Sequence, residues 1–131
     1  MKMFWAIAIG GAAGCVCRYY LGAFVQQHTG ATFPYGTFVI NITGSLILGF
    51  LLRYALTTQT WSIEFRALLT TGFCGGYTTF STFSYETAML LEDGEYQRAT
   101  VYALGSVVAA LAFTFLGFIL ARELIAWREH F

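Results

Sequence analysis

The sequence predicts an all-α membrane protein of four transmembrane helices, the third of them broken at mid-membrane. Three observations carry that prediction. Of 131 residues, 57% are hydrophobic and 11% charged, a balance too apolar for a water-soluble domain of this size. Four windows, Met3 to Val25, Tyr35 to Leu56, Ala67 to Leu91 and Ala99 to Ala121, each supply the roughly 20 apolar residues that cross ~30 Å of hydrocarbon. The third window also holds "GFCGGYTTFSTFSYE", Gly72 to Glu86, which is too rich in glycine and hydroxyls to continue as one plain apolar helix.

Short connectors join the windows: "QQHTGATFP" with the one proline, "TTQTWSIEFR", and "EDGEYQR" with its Asp93-Gly94 turn signal. Residues 1–131 are therefore expected to form a single integral membrane domain. Lys2, the apolar stretch after it and "AAGC" at Ala12 to Cys15 have the look of a lipoprotein cleavage site. The positive region is one lysine and the apolar region short, so an uncleaved first helix is expected.

The first span carries the small-residue run "GGAAG", which lets helix backbones approach closely in lipid. Cys15 and Cys17 point about 200° apart on a helix, so they read as packing residues, as does Cys74. Arg18 is the unusual residue of this span. A charge at bilayer depth costs ~2.5 to 3.5 kcal/mol, so it faces protein or water, or snorkels to the interface.

In the second span Thr37, Asn41 and Ser45 recur every fourth residue and share a face, among the glycines Gly36, Gly44 and Gly49. Asn41 reads either as a bond between helices or as a polar group on an ion path. The third span sets Gly75-Gly76 before Thr78 and Thr79. Glycine costs about 1 kcal/mol of helix propensity and the threonines compete for backbone bonds, so the helix should break here. A break frees carbonyls that lipid cannot satisfy and that an ion can. Phe80 and Phe83 follow on one face with Ser81, Thr82 and Ser84 around them; aromatic ring edges are positive and attract an anion. Glu86 needs a partner or an interface for the same reason as Arg18. On the fourth span Tyr102, Ser106 and Thr114 form a hydroxyl line, a weak signal because such groups also bond their own helix.

Several classes find no materials. His28 and His130 sit in a loop and at the C-terminus, and no cluster reaches metal-ligand spacing, so no enzyme chemistry is expected. Formal net charge is zero, and no nucleic-acid partner is expected. Lys2, Arg53, Arg66, Arg122 and Arg128 fall on the side of the termini and Arg98 opposite, which favours termini in the cytoplasm. A proton-coupled exporter of similar size should carry an acidic residue in its first span, and Met3 to Val25 contains none. An accessory subunit of a larger complex remains as the alternative without an ion path.

"GGAAGCVCRY" at Gly10 to Tyr19, "GTFVINITGSLILG" at Gly36 to Gly49 and "GFCGGYTTFSTFSYE" resemble the motifs of the CrcB or Fluc fluoride channels of bacteria. The resemblance implies a passive fluoride channel of the bacterial inner membrane that exports fluoride to relieve its toxicity. It also implies an antiparallel, dual-topology homodimer with two pores and a structural sodium ion at the twofold axis. On that resemblance Phe80 and Phe83 are the pore phenylalanines, Asn41 reaches the anion path, and Arg18 lines a vestibule. Ser81, Thr82, Thr37, Tyr102 and Thr114 supply polar lining, and the carbonyls of Gly75 and Thr78 hold sodium. Two departures stand out: Cys15 where a small residue such as alanine is expected, and a basic bias at odds with insertion in both orientations.

Overall fold

The computed structural model describes residues 1–30 and 32–130. All regular structure among them is helical. Helix α1 runs Lys2–Thr29, α2 Tyr35–Thr58 and α6 Tyr96–Glu129, each long and apolar enough to cross a membrane. Between α2 and α6 lies a third rod made of pieces. It starts with α3, Ile63–Ala67, capped by the Ser62 hydroxyl on the Phe65 N–H. A π-helical segment, Leu68–Cys74, leads into the single turn α4, Gly75–Tyr77, and α5 resumes at Phe80–Glu92.

Much of the outer surface is apolar. Phe4, Ile9, Val16, Leu104, Val108 and Phe115 are all more than half exposed, as expected where the surroundings are lipid or another subunit. Because hydrocarbon gives no hydrophobic reason for helices to associate, close backbone packing has to hold them. Glycine supplies it. A Cβ at Gly14 would lie 2.2 Å from the Phe73 carbonyl oxygen, and one at Gly117 would lie 2.4 Å from that of Leu46. The first contact seats α1 on the π segment and the second seats α6 on α2, the two principal packings of the chain.

The third rod does break, but not at its paired glycines. Gly75 is helical, with φ −64 and ψ −37, and the chain leaves the helix at Thr78 (φ −79, ψ 159) and Thr79 (φ −150, ψ 113). Gly76 serves packing instead, since a Cβ there would lie 2.5 Å from the Gly11 carbonyl oxygen. The threonines make the exit. Thr78 turns its hydroxyl back to the Cys74 carbonyl at 3.0 Å, and the Thr79 hydroxyl caps α5 by accepting from the Thr82 N–H at 3.2 Å.

Candidate anion site

Two extended residues inside a membrane leave backbone groups that must find partners. Asn41 provides them from α2. Its Oδ1 accepts from the Thr79 N–H at 2.8 Å and its Nδ2 donates to the Thr79 carbonyl at 3.0 Å. The amide thus pairs with Thr79 as a second peptide would in a sheet. In a continuous helix the Thr79 N–H would have gone to Gly75 and the Thr82 N–H to Thr78. Both are diverted, so the carbonyls of Gly75 and Thr78 lose their helical donors. Arg18 reaches the break from α1: its Nη1 donates to the Thr78 carbonyl at 3.2 Å, and its Nη2 to the Cys15 Sγ at 3.6 Å.

On one side of the break lies a groove of about 260 Å³, lined by Asn41, Thr79, Phe80, Phe83 and Ser106 among others. The two rings stand 5.5 Å apart at 43° to each other, and Phe80 is 78% exposed on the subunit surface. Ser106 is buried, and its hydroxyl has no hydrogen-bond partner among the described residues. A buried hydroxyl without a partner is costly unless a ligand or water meets it. Asn41 keeps one of its two amide N–H groups beyond the bond to Thr79. The groove therefore combines neutral donors with two aromatic rings, and no carboxylate stands among its lining residues; a ring's positive edge suits a small anion.

On the other side lies a larger cleft, about 810 Å³, lined by Arg18, Gln26, Thr37, Thr82 and Glu86 among others. Glu86 is not free in it. The Thr37 hydroxyl donates to one carboxylate oxygen at 2.8 Å and the Tyr102 hydroxyl to the other at 2.7 Å. Tyr102 is one of the most buried side chains and lies against Phe83, with ring centroids 5.2 Å apart and the rings tilted at 53°, so the pair of hydroxyls on Glu86 and the groove share a wall.

The sequence candidates therefore divide. Asn41, Phe80 and Phe83 meet in the groove, while Arg18, Thr37 and Thr82 line the cleft. Tyr102 stands between them. Ser81 lies exposed with its hydroxyl 3.4 Å from that of Thr79. Thr114 bonds the carbonyl of Ala110 on its own helix at 2.9 Å and lines neither space, the outcome that makes hydroxyl lines a weak signal. Cys15 and Cys17 are exposed and Cys74 is buried. Ser106 was visible only as a member of the hydroxyl line; its distinction is the lack of a partner, which a sequence does not display.

The family model for CrcB-like protein, Camphor Resistance (CrcB), matches residues 5–118. A protein of Geotalea daltonii named fluoride-specific ion channel FluC is 52% identical over 116 residues, covering 88% of this chain and 94% of its own. Proteins of the same name from Geobacter sulfurreducens and Aquifex aeolicus are 48% and 44% identical over 124 residues, covering 95% of this chain and 100% of theirs. Matched along nearly its whole length and through the helix break, the chain belongs to the CrcB family.

Proposed function

We propose that this chain is a multi-pass membrane protein forming a passive, fluoride-selective channel, and that it exports fluoride to relieve its toxicity. The observation that carries the reading is the groove at the broken helix, where Asn41, Phe80 and Phe83 converge on a buried Ser106 hydroxyl with no partner among the described residues. The relatives' shared name supports it.

Fluoride is a compact, strongly accepting anion, and its hydration has to be replaced by donors that do not hold it fast. Arg18 draws anions toward the cleft. Asn41 offers its remaining N–H, Ser106 its O–H, and Phe80 and Phe83 their ring edges, each neutral, so that entry and exit stay in balance. Thr37, Thr82, Ser81 and Tyr102 act as polar lining and as partners of those that touch the ion. Phe80 is too exposed to serve a closed path within one subunit. An antiparallel homodimer that lays a second copy over this ring completes the wall, and residues 1–131 form one membrane domain in it.

The diverted carbonyls of Gly75 and Thr78 fit a structural sodium ion shared by two subunits. Gly75 supports this, because open space lies beside its Cα and its helical donor has gone to Asn41. When bound, sodium would satisfy these carbonyls and add positive potential at the pore. Arg18 already donates to the Thr78 oxygen, so that oxygen has one lone pair left for a cation.

The test is fluoride efflux from liposomes containing the purified protein, read by a fluoride electrode without ATP or a proton gradient. Efflux is expected in sodium, with a lower flux and a lower melting temperature when N-methylglucamine replaces it during purification. Absent flux, or flux that requires an imposed proton gradient, overturns the channel; equal behaviour in the two cations overturns the sodium site alone.

A further inference from the structure

Glu86 is clasped by two hydroxyls from different helices, and one side chain outside that clasp is bonded to the backbone beside both. Gln26, on the last turns of α1, donates from Nε2 to the Phe33 carbonyl at 3.1 Å and accepts at Oε1 from the Gly36 N–H at 3.0 Å. The Gly36 N–H is one of the first on α2, which has no side-chain cap of its own. Gln26 therefore acts as that cap from a neighbouring helix. The next residue is Thr37, the first donor to Glu86. Phe33 meets the second donor, since its ring stands edge-on to that of Tyr102 at 5.4 Å and 82°. Gly36 is held closely from the same helix: a Cβ there would lie 2.5 Å from the Gly22 carbonyl oxygen.

We infer that Gln26 is a positioning residue for the Glu86 clasp, setting Thr37 through Gly36 and Tyr102 through Phe33. The bonds to Phe33 and Gly36 act on different donors, so they separate by substitution. Gln26→Met keeps the length and removes both. Gln26→Glu, ionised, keeps the acceptor for Gly36 and loses the donor for Phe33. A residue that merely tied down the loop would change stability and leave the carboxylate of Glu86 in its two-donor environment.

The inference rests on the channel reading only for its effect on flux; its primary readout does not. The infrared carboxylate band of Glu86, assigned in the reconstituted protein by difference from Glu86→Gln, reports the hydrogen bonds it accepts. In Gln26→Met the band is expected to move toward its position in the double variant Thr37→Ala with Tyr102→Phe, and in Gln26→Glu toward its position in Tyr102→Phe. Fluoride flux is expected to fall about fivefold in Gln26→Met, and by less than twofold when the same change is made in Thr37→Ala, because coupled residues are not additive. An unmoved Glu86 band in both Gln26 variants overturns the positioning role whatever the flux. A wild-type protein that passes no fluoride while the band still shifts upholds the positioning and overturns the channel. If Gln26→Met does not assemble, Gln26→Glu alone decides, by whether the band moves.

Discussion

Replacing Asn41 tests whether the break in the third rod is held from outside it. The amide makes two bonds to Thr79, at 2.8 and 3.0 Å. Asn41→Ala removes both and leaves the N–H and the carbonyl of Thr79, a buried residue, without these partners. Each such group costs ~1 to 3 kcal/mol, giving ~2 to 6 kcal/mol together, which is of order 10 °C in melting temperature. Asn41→Asp is the sharper arm. It keeps an acceptor for the Thr79 N–H but sets a carboxylate oxygen against the Thr79 carbonyl and a negative charge beside the anion groove. At ~4 Å and an effective dielectric of ~20, like charges repel by ~4 kcal/mol, so flux should fall at least a hundredfold. The assays are thermal unfolding of the purified protein and electrode-read efflux from liposomes. A melting temperature in Asn41→Ala equal to wild type would refute the account of the break. Flux in Asn41→Asp within threefold of wild type would remove Asn41 from the anion path.

Phe80→Ile and Phe83→Ile keep apolar bulk and remove the ring quadrupole; each should lower efflux about tenfold with the dimer intact by cross-linking. Unaltered flux in both variants would reduce the rings to packing. Gly14→Ala brings a Cβ within 2.2 Å of the Phe73 carbonyl oxygen and 2.8 Å of the Tyr77 nitrogen, whereas Gly105→Ala meets nothing within 4 Å inside the subunit. The first should lose several kcal/mol or fail to assemble, while the second gains up to ~1 kcal/mol of helix propensity; equal expression and melting of the two would contradict glycine-mediated seating of α1.

The spans were legible because lipid imposes a length and a composition that a sequence cannot hide, and α1, α2 and α6 express both. The existence of the break was legible for a similar reason, since Gly75 to Thr79 concentrates weak helix formers. Its position was not. Low intrinsic propensity marks Gly75 and Gly76, but α1 packs on Gly76 and both stay helical, whereas Thr78 and Thr79 leave the helix because their hydroxyls and Asn41 replace the lost backbone bonds. Phe80 and Phe83 were legible from the hydroxyls of Ser81, Thr82 and Ser84 around them, and Asn41 from the face it shares with Thr37 and Ser45. The partners of Glu86 were hidden by distance along the chain: Thr37 is 49 residues away and Tyr102 is 16, on helices whose rotation no local pattern specifies. Gln26 was hidden by ordinariness, a polar residue near a helix end.

The π-helical segment Leu68–Cys74 has a consequence for how the chain keeps count. An α-helix closes each bond over four residues and a π-helix over five, so the segment houses one residue more than the same rod would need in α form. Removing a residue from a transmembrane α-helix turns everything beyond it by about 100°, swinging buried faces outward. Here the loss would be absorbed as the segment tightens, with α3 on one side and the Thr78–Thr79 break on the other keeping their mutual orientation. The third rod thus contains a local reserve of chain, placed directly ahead of the residues whose aim matters most, so that length and direction, fixed together elsewhere in the bundle, are independent at this one point.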